Sequence, residues 1–279
     1  MTLDSNNAQI GIEHRSPSYW RVIVNNPPFN ICGPDMLPQL GAVVTALETD
    51  PHVKVVVFES AVPGFFLTHY DFIPPLEATT SMAPGPTGLP PLPDMLVRIG
   101  RSSVISIAKI RGRATGVGSE LALASDMRFA SREKALLSQW EIGAALVPGG
   151  GPMTRLSRLI GRGRALEVLT SGNDFDGALA ERYGYVNRAL PDDELDDFVD
   201  ALATRIGSFD KQSLAVIKQH VNVETLPPDT SVAPEWDAFI AAVQRPAAQE
   251  KIAQLMQMGL QKNPDVEARL AEYTGSLWR

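Results

Sequence analysis

The sequence predicts an α/β protein that becomes all-helical towards its C-terminus. Three observations predict it. Short runs rich in β-branched and aromatic residues alternate with amphipathic helical patterns through the first half. Val53 to Phe58 is almost wholly apolar, as in a strand covered on both faces. From about Asp192 onward helical spacing dominates.

Tyr19 to Val24 reads as a strand that stops at Asn25-Asn26-Pro27-Pro28. Met36, Leu37, Leu40, Val43, Val44 and Leu47 line one face of a helix, and Asp50-Pro51 ends it. Val53 to Phe58 is the next strand. Ile73 to Asp94 carries seven prolines, so neither a regular helix nor a central strand is expected there. It reads either as a surface loop or as a lid over a site. Val104 to Ile110 resumes the strands, Gly112 to Gly118 is a glycine-rich turn, and Ser119-Glu120-Leu-Ala-Leu-Ala124 opens a helix. Met127 to Ala130 is a further strand. After Pro148-Gly-Gly-Gly-Pro152, one helix carries Arg155 to Ile160 and another Arg164 to Leu169, closed by Ser171-Gly172. Helices are expected over Leu195 to Ile206, Lys211 to Val221, Ala233 to Val243 and Ala247 to Leu260.

Composition narrows the function classes. The 279 residues carry 25 basic and 32 acidic side chains, a formal charge of −7. The pI of about 5.2 argues against nucleic acid as a partner. No apolar run approaches the ~18 residues of a membrane span. Residues 1–15 are polar, without the apolar stretch of a secretion signal. The single Cys32 forms no internal disulfide and fits a reducing compartment. A cytoplasmic protein with no membrane contact is expected.

Gly116-Val-Gly118 lacks the third glycine of a dinucleotide fingerprint, there is no phosphate-binding Gly-Lys-Ser/Thr, and Ser119 is not in a Gly-x-Ser-x-Gly elbow. His14, His52, His69 and His220 are widely spaced, so no metal site is expected. What stands out is a glycine turn that runs straight into a helix. First-turn amides lack internal partners, and this helix end is partly positive. Glycines let a ligand approach it, so the place suits a charge developing on a carbonyl oxygen. Glu120 sits in that first turn, where an acid also simply stabilises the helix. Glu141, within Ser138-Gln-Trp140-Glu-Ile142, is a charge among apolar neighbours. It reads either as an exposed carboxylate at a strand end or as a partner of Glu120. Two carboxyls at one centre can divide acid and base work, because burial and repulsion push their pKa values apart.

Several motifs in order resemble the enoyl-CoA hydratase/isomerase (crotonase) superfamily over roughly residues 20 to 265. They are Val53 to Phe58 with Gly64-Phe-Phe-Leu-Thr-His-Tyr-Asp71; Ile107 to Asp126; Glu141-Ile; Val147-Pro-Gly-Gly-Gly; Ala180 to Arg188; and Leu214 to Lys218. The resemblance implies a spiral of repeated ββα units over 1–190 that holds the acyl-CoA site. A C-terminal all-helical extension, 191–279, would serve assembly and pocket cover. It implies an acyl-CoA thioester as substrate, with coenzyme A as part of that substrate and no separate cofactor. The backbone amides of Tyr70 and Val117 would hold the thioester oxygen. Glu141 would exchange the Cα proton, and Glu120 would activate the water that adds at Cβ. Thr68, His69, Gly116, Gly118, Trp140 and Gly149 would line or shape the substrate site. Hydration is favoured because both glutamates are present. The alternatives are isomerisation, thioester hydrolysis or decarboxylation on the same scaffold, or a member that binds without turnover. A homotrimer or homohexamer is implied. Phe239, Ile240, Val243, Ile252, Leu255, Met256 and Leu260 would suit assembly or equally a self-covering core. Lys109 and Lys262 are candidates for the coenzyme A phosphates. One departure concerns Thr68-His69-Tyr70-Asp71, where the family usually reads Ala-Gly-Ala-Asp. His69 in a glycine position is expected to need an unusual backbone angle. Its side chain and that of Tyr70 either narrow the pocket, supply a polar contact, or point away.

Overall fold

The computed structural model describes residues 8–279. Of the polar N-terminal stretch, residues 1–7 lie outside the described residues, and the rest enters the first strand. β1 (Ile10–Ser16) and β2 (Tyr19–Val24) form an antiparallel pair. α1 (Met36–Thr49) then buries the predicted apolar face. It gives way to β3 (Val55–Ser60), parallel to β2. β4 (Gly64–Leu67) leaves for a second sheet. The short α2 (Glu77–Thr80) and α3 (Pro91–Arg101) follow. The pattern repeats: β5 (Ile105–Ile110) pairs with β3, β6 (Gly112–Thr115) pairs with β4, and α4 (Val117–Ala124) closes the unit. It repeats again with β7 (Met127–Ser131), β8 (Leu136–Ser138), a 3-10 turn at Glu141–Ala144, α5 (Pro152–Ile160) and α6 (Arg162–Ser171). β9 (Phe175–Asp176), α7 (Gly177–Tyr183) and β10 (Arg188–Leu190) complete the two sheets.

Each unit therefore gives one strand to a six-stranded sheet, β1-β2-β3-β5-β7-β10, and one to a four-stranded sheet, β4-β6-β8-β9. Beyond the first hairpin the large sheet is parallel. This is the α/β alternation that the sequence pattern predicted, arranged as the ββα units that the family resemblance implied. The helices that follow are α8 (Leu195–Gly207), α9 (Lys211–Thr225), α10 (Asp229–Val243), α11 (Pro246–Met258), α12 (Pro264–Ala268) and α13 (Leu270–Ser276). No helix among the described residues is long and apolar enough to cross a membrane.

The all-apolar β3 is explained by what covers it. Val56 and Phe58 face the main core, while Val55 and Val57 pack with Leu195, Val199 and Ala203 of α8. The strand is buried on both faces, so period-two alternation disappears. The C-terminal apolar residues close on their own chain: Phe239, Val243, Leu255 and Leu260 belong to the main core, with Ile240, Ile252 and Met256 packed against it.

The proline-rich stretch differs from expectation, because it contains α2 and the start of α3. The prolines of α3 sit at Pro90, Pro91 and Pro93, at or within the first turn, where an N–H has no helical partner to lose. Asp94 stabilises the entry by accepting hydrogen bonds from the Thr87 amide at 2.8 Å and the Thr87 hydroxyl at 2.7 Å.

Candidate active site

The glycine turn is built where the two strand systems meet the first turn of α4. A Cβ on Gly118 would lie 1.7 Å from the Leu67 carbonyl oxygen, so only glycine allows this approach. The Gly118 amide donates to the Thr68 carbonyl at 3.2 Å, which joins the start of α4 to the loop after β4. Gly116 has φ +56°, and a Cβ there would fall 2.8 Å from Glu141 Oε1 and 3.1 Å from Trp140 Nε1. These two glycines thus bring the 68–70 loop, the start of α4 and the 140–141 segment together.

At that junction is a cavity of about 20 Å³, room for about one water molecule. Tyr70, Val117, Glu120, Trp140, Glu141 and Gly149 line it, together with Phe72, Leu92, Trp236 and Phe239. Six of the ten residues singled out from the sequence therefore face one space. Thr68, His69, Gly116 and Gly118 do not line it. Thr68 donates its hydroxyl to the Phe29 carbonyl at 3.0 Å, and the glycines shape the wall from behind.

The two carboxyls are held differently. Glu120 Oε1 accepts the Gly150 amide at 2.8 Å. Burial pushes the Glu120 pKa up, the Gly150 amide and the Arg155 guanidinium pull it back, and nearby Glu235 adds to the rise. Glu141 is 6% exposed, so it is not an exposed carboxylate at a strand end. Its Oε2 has no hydrogen-bond partner among the described residues. Burial, then the charge of Glu120, hold its pKa well above the usual carboxylate range. Both carboxyls are thus raised, Glu120 to about 7, and Glu120 gives up its proton before Glu141.

Among the described residues, the amides of Tyr70 and Val117 have no backbone acceptor. A trans peptide directs its N–H opposite to its C=O, so each partner's bond fixes the amide's direction. The His69 carbonyl is bound by the Cys32 amide at 3.1 Å, which aims the Tyr70 N–H the other way. The Gly116 carbonyl takes the Glu120 amide at 2.9 Å, so the Val117 N–H points out of the helix start.

His69 corrects the expected backbone angle, and of the three readings of its side chain it follows the one that points away from the pocket. It is not among the residues with positive φ; Asn30, Ala145 and Gln261 are. Its side chain neither narrows the cavity nor reaches into it. It is buried against Glu267 instead, with Nε2 at 3.1 Å from Oε2. Tyr70 does line the cavity, and its hydroxyl bonds to Thr79 Oγ1 at 2.8 Å. Lys109 also has a different role from the one expected: it is buried between Glu59 and Asp196, which already neutralise it. Lys262 is exposed and does not line the cavity.

Sequence reasoning missed the cover and the outer supports. Trp236 and Phe239 come from α10, and a Cβ on Gly149 would meet Phe239 Cβ at 2.8 Å. α10 is latched by Glu235, whose carboxylate accepts the Met153 amide at 3.0 Å and the Thr154 amide at 2.9 Å at the start of α5. The apolar helical pattern included Phe239 but did not show what it covers, and Trp236 and Glu235 carried no signal of their own. Among the described residues, no group of three or more His, Cys, Asp or Glu could hold a metal ion.

The fold and site define an α/β spiral with two buried carboxyls and two unpartnered amides around one small cavity. Residues 18–262 match the family model for enoyl-CoA hydratase/isomerase, and the chain belongs to that family. It is similar to the probable enoyl-CoA hydratase 2, mitochondrial, of Arabidopsis thaliana, 31% identical over 195 residues. That match covers 69% of this chain and 63% of the relative, so it spans under two thirds of that protein. The probable enoyl-CoA hydratase EchA12 of Mycobacterium tuberculosis is 29% identical over 213 residues, 75% of each chain. A crystal structure of a protein assigned as an enoyl-CoA hydratase from Streptomyces avermitilis is 38% identical, with a TM-score of 0.91 over 96% of each chain.

Proposed function

We propose that this chain is an enoyl-CoA hydratase, which adds water across the 2,3 double bond of an acyl-CoA thioester. The observation that carries the reading is the placement of Glu120 and Glu141 on the wall of one cavity with room for about one water. Their different surroundings support different roles. Ionised Glu120 takes a proton from the water as its oxygen bonds to Cβ. The π electrons move onto the thioester oxygen, and the amides of Tyr70 and Val117 stabilise the enolate. Protonated Glu141 then gives its proton to Cα, and the product is a 3-hydroxyacyl-CoA. The acyl group would lie among Phe72, Leu92, Trp236 and Phe239, which supports an apolar chain. Since the cavity is far smaller than any acyl group, entry requires the α10 cover to shift. The exposed Val216, Ile217, Val221 and Val223 of α9 support assembly as a homotrimer or homohexamer.

The test is loss of the enoyl-thioester absorbance with crotonyl-CoA and longer 2-enoyl-CoAs. Turnover with 3-hydroxyacyl-CoA as product is expected. No turnover at any chain length overturns the hydratase reading. Movement of the double bond, or release of free coenzyme A, would replace it with isomerisation or thioester hydrolysis.

A further inference from the structure

The loop that carries the Tyr70 amide is tied to a segment almost two hundred residues further along the chain. His69 Nδ1 is 2.8 Å from the Tyr70 carbonyl oxygen, and Nε2 is 3.1 Å from Glu267 Oε2. Glu267 Oε1 also accepts the Gln261 amide at 2.7 Å. The Gln261 side chain returns to the loop: its Oε1 accepts the Phe72 amide at 3.1 Å, and its Nε2 donates to Asp71 Oδ1 at 2.7 Å. Gln261 itself has φ +68°, a conformation costly for a residue with a Cβ and kept here by this set of bonds. Arg113 secures the far side, paired with Asp174 and donating to the Ala268 carbonyl.

The ring chemistry shows what holds His69. Both nitrogens face acceptors, a carbonyl and a carboxylate, and a neutral imidazole has one donor only. The proton between His69 and Glu267 therefore completes the bridge, and the pair lies almost wholly out of solvent, at 1% and 0% exposure. One ring face is closed by Trp140 at 5.2 Å, the neighbour of Glu141. A surface loop has no need of such a pair, and breaking a buried pair leaves a stranded charge. Three loop groups are thus fixed from the C-terminal segment: the 70–71 peptide by His69, and Asp71 and the Phe72 amide by Gln261.

We propose that His69, Glu267 and Gln261 are positioning residues that hold the Tyr70 amide at the angle needed to receive the thioester oxygen. This rests on the reading of that amide as an oxyanion donor. The clamp makes the C-terminal segment a working part of the site. Loosening it leaves acyl-CoA binding nearly intact, since the apolar walls are untouched, and lowers the rate of the step in which oxyanion charge develops.

The test uses the full chain with Glu267→Ala, Glu267→Gln and, because a stranded imidazolium can unfold the protein, Gln261→Ala, which leaves the pair whole. Amide hydrogen exchange is read over residues 68–73. Exchange there about tenfold faster in Glu267→Ala and Gln261→Ala, with strands 55–60 and 105–110 unchanged, is expected. Unchanged exchange over 68–73 in Gln261→Ala or in a folded Glu267→Ala overturns the clamp. With crotonyl-CoA, kcat should fall about 10- to 100-fold with KM within about threefold, since small misplacements of a donor carry costs of this size. Glu267→Gln, which still accepts from Gln261 and can donate to a neutral His69, should restore most of the rate. A KM rise at unchanged kcat also overturns the proposal. A wild-type protein inert towards enoyl-CoAs would remove the hydratase reading alone, because exchange decides the clamp without turnover.

Discussion

Glu120 and Glu141 border the same cavity but belong to two differently built regions. Glu120 rises from the first turn of α4, and a backbone amide and a guanidinium offset its burial. Glu141 lies in a 3-10 turn beside Trp140, and among the described residues its Oε2 has no hydrogen-bond partner. Burial raises both pKa values, but the donors around Glu120 hold its rise to about 7 while Glu141, lacking them, is pushed well above the usual carboxylate range. The difference lies in the number of donors each region supplies, and it can be broken one donor at a time.

The largest effect is expected from neutralising either acid. Glu120→Gln and Glu141→Gln should each lower the hydration rate by about 10³- to 10⁴-fold. Glu120→Gln should leave deuterium exchange at Cα of a saturated acyl-CoA measurable by mass spectrometry, and Glu141→Gln should abolish it. The reverse pattern would exchange the two roles. Next comes Gly150→Ala, whose Cβ would sit 2.3 Å from Glu120 Oε2 and 2.8 Å from Leu96 Cδ1. Displacing the carboxylate should lower kcat about 10²-fold. Gly41→Ala, with nothing near its Cβ, serves as the control.

Arg155→Met sharpens the comparison through pH. The rate should rise as Glu120 ionises and fall as Glu141 loses its proton, with both limbs above the ordinary carboxylate range. Removing the cation raises the Glu120 pKa, so the acid limb moves to higher pH and the alkaline limb moves little. A shift to lower pH would contradict the electrostatic account. Stability should change least. A carboxyl whose pKa is raised in the folded state destabilises it once pH exceeds the unfolded value of 4.5. Glu141→Gln should therefore raise the melting temperature at pH 7, and the gain should vanish near pH 4.5. The His69–Glu267 pair carries the opposite sign at its histidine. Burial alone lowers the His69 pKa, but Glu267 overcomes it and the net shift is up. Its contribution is therefore complete below pH 6.5 and lost as pH rises through the raised folded value.

Much of this site was legible in order along the chain. Gly116-Val-Gly118 before Glu120 marked a close backbone approach, and Glu141 stood out as a charge among apolar residues. Strands β2, β3 and β5 followed from their β-branched runs, and β7 from the short stretch Met127 to Ala130. The short β4, β6, β8, β9 and β10, of two to four residues, carry too little pattern to announce themselves. α3 was hidden because proline reads as a breaker unless its place in the first turn is known. Phe239 looked like an ordinary apolar helix residue, since an inward-facing aromatic reads the same over a cavity as over packed side chains, and Leu92 lay in the proline-rich stretch that read as a surface loop or a lid.

By itself the sequence determined the α/β alternation, the helical C-terminal part, the glycine turn and the identity of both carboxyls. These depend on local conformational preference and on residues close together in the chain. Only the tertiary structure decided that Glu120 and Glu141 share a cavity, that Glu141 keeps an unpaired oxygen, and that His69 turns from the pocket to Glu267. Each of these depends on desolvation and on partners brought together by folding, Gly150 for Glu120 and Glu267 for His69 across 198 positions. No local pattern encodes a partner's distance, because packing sets it.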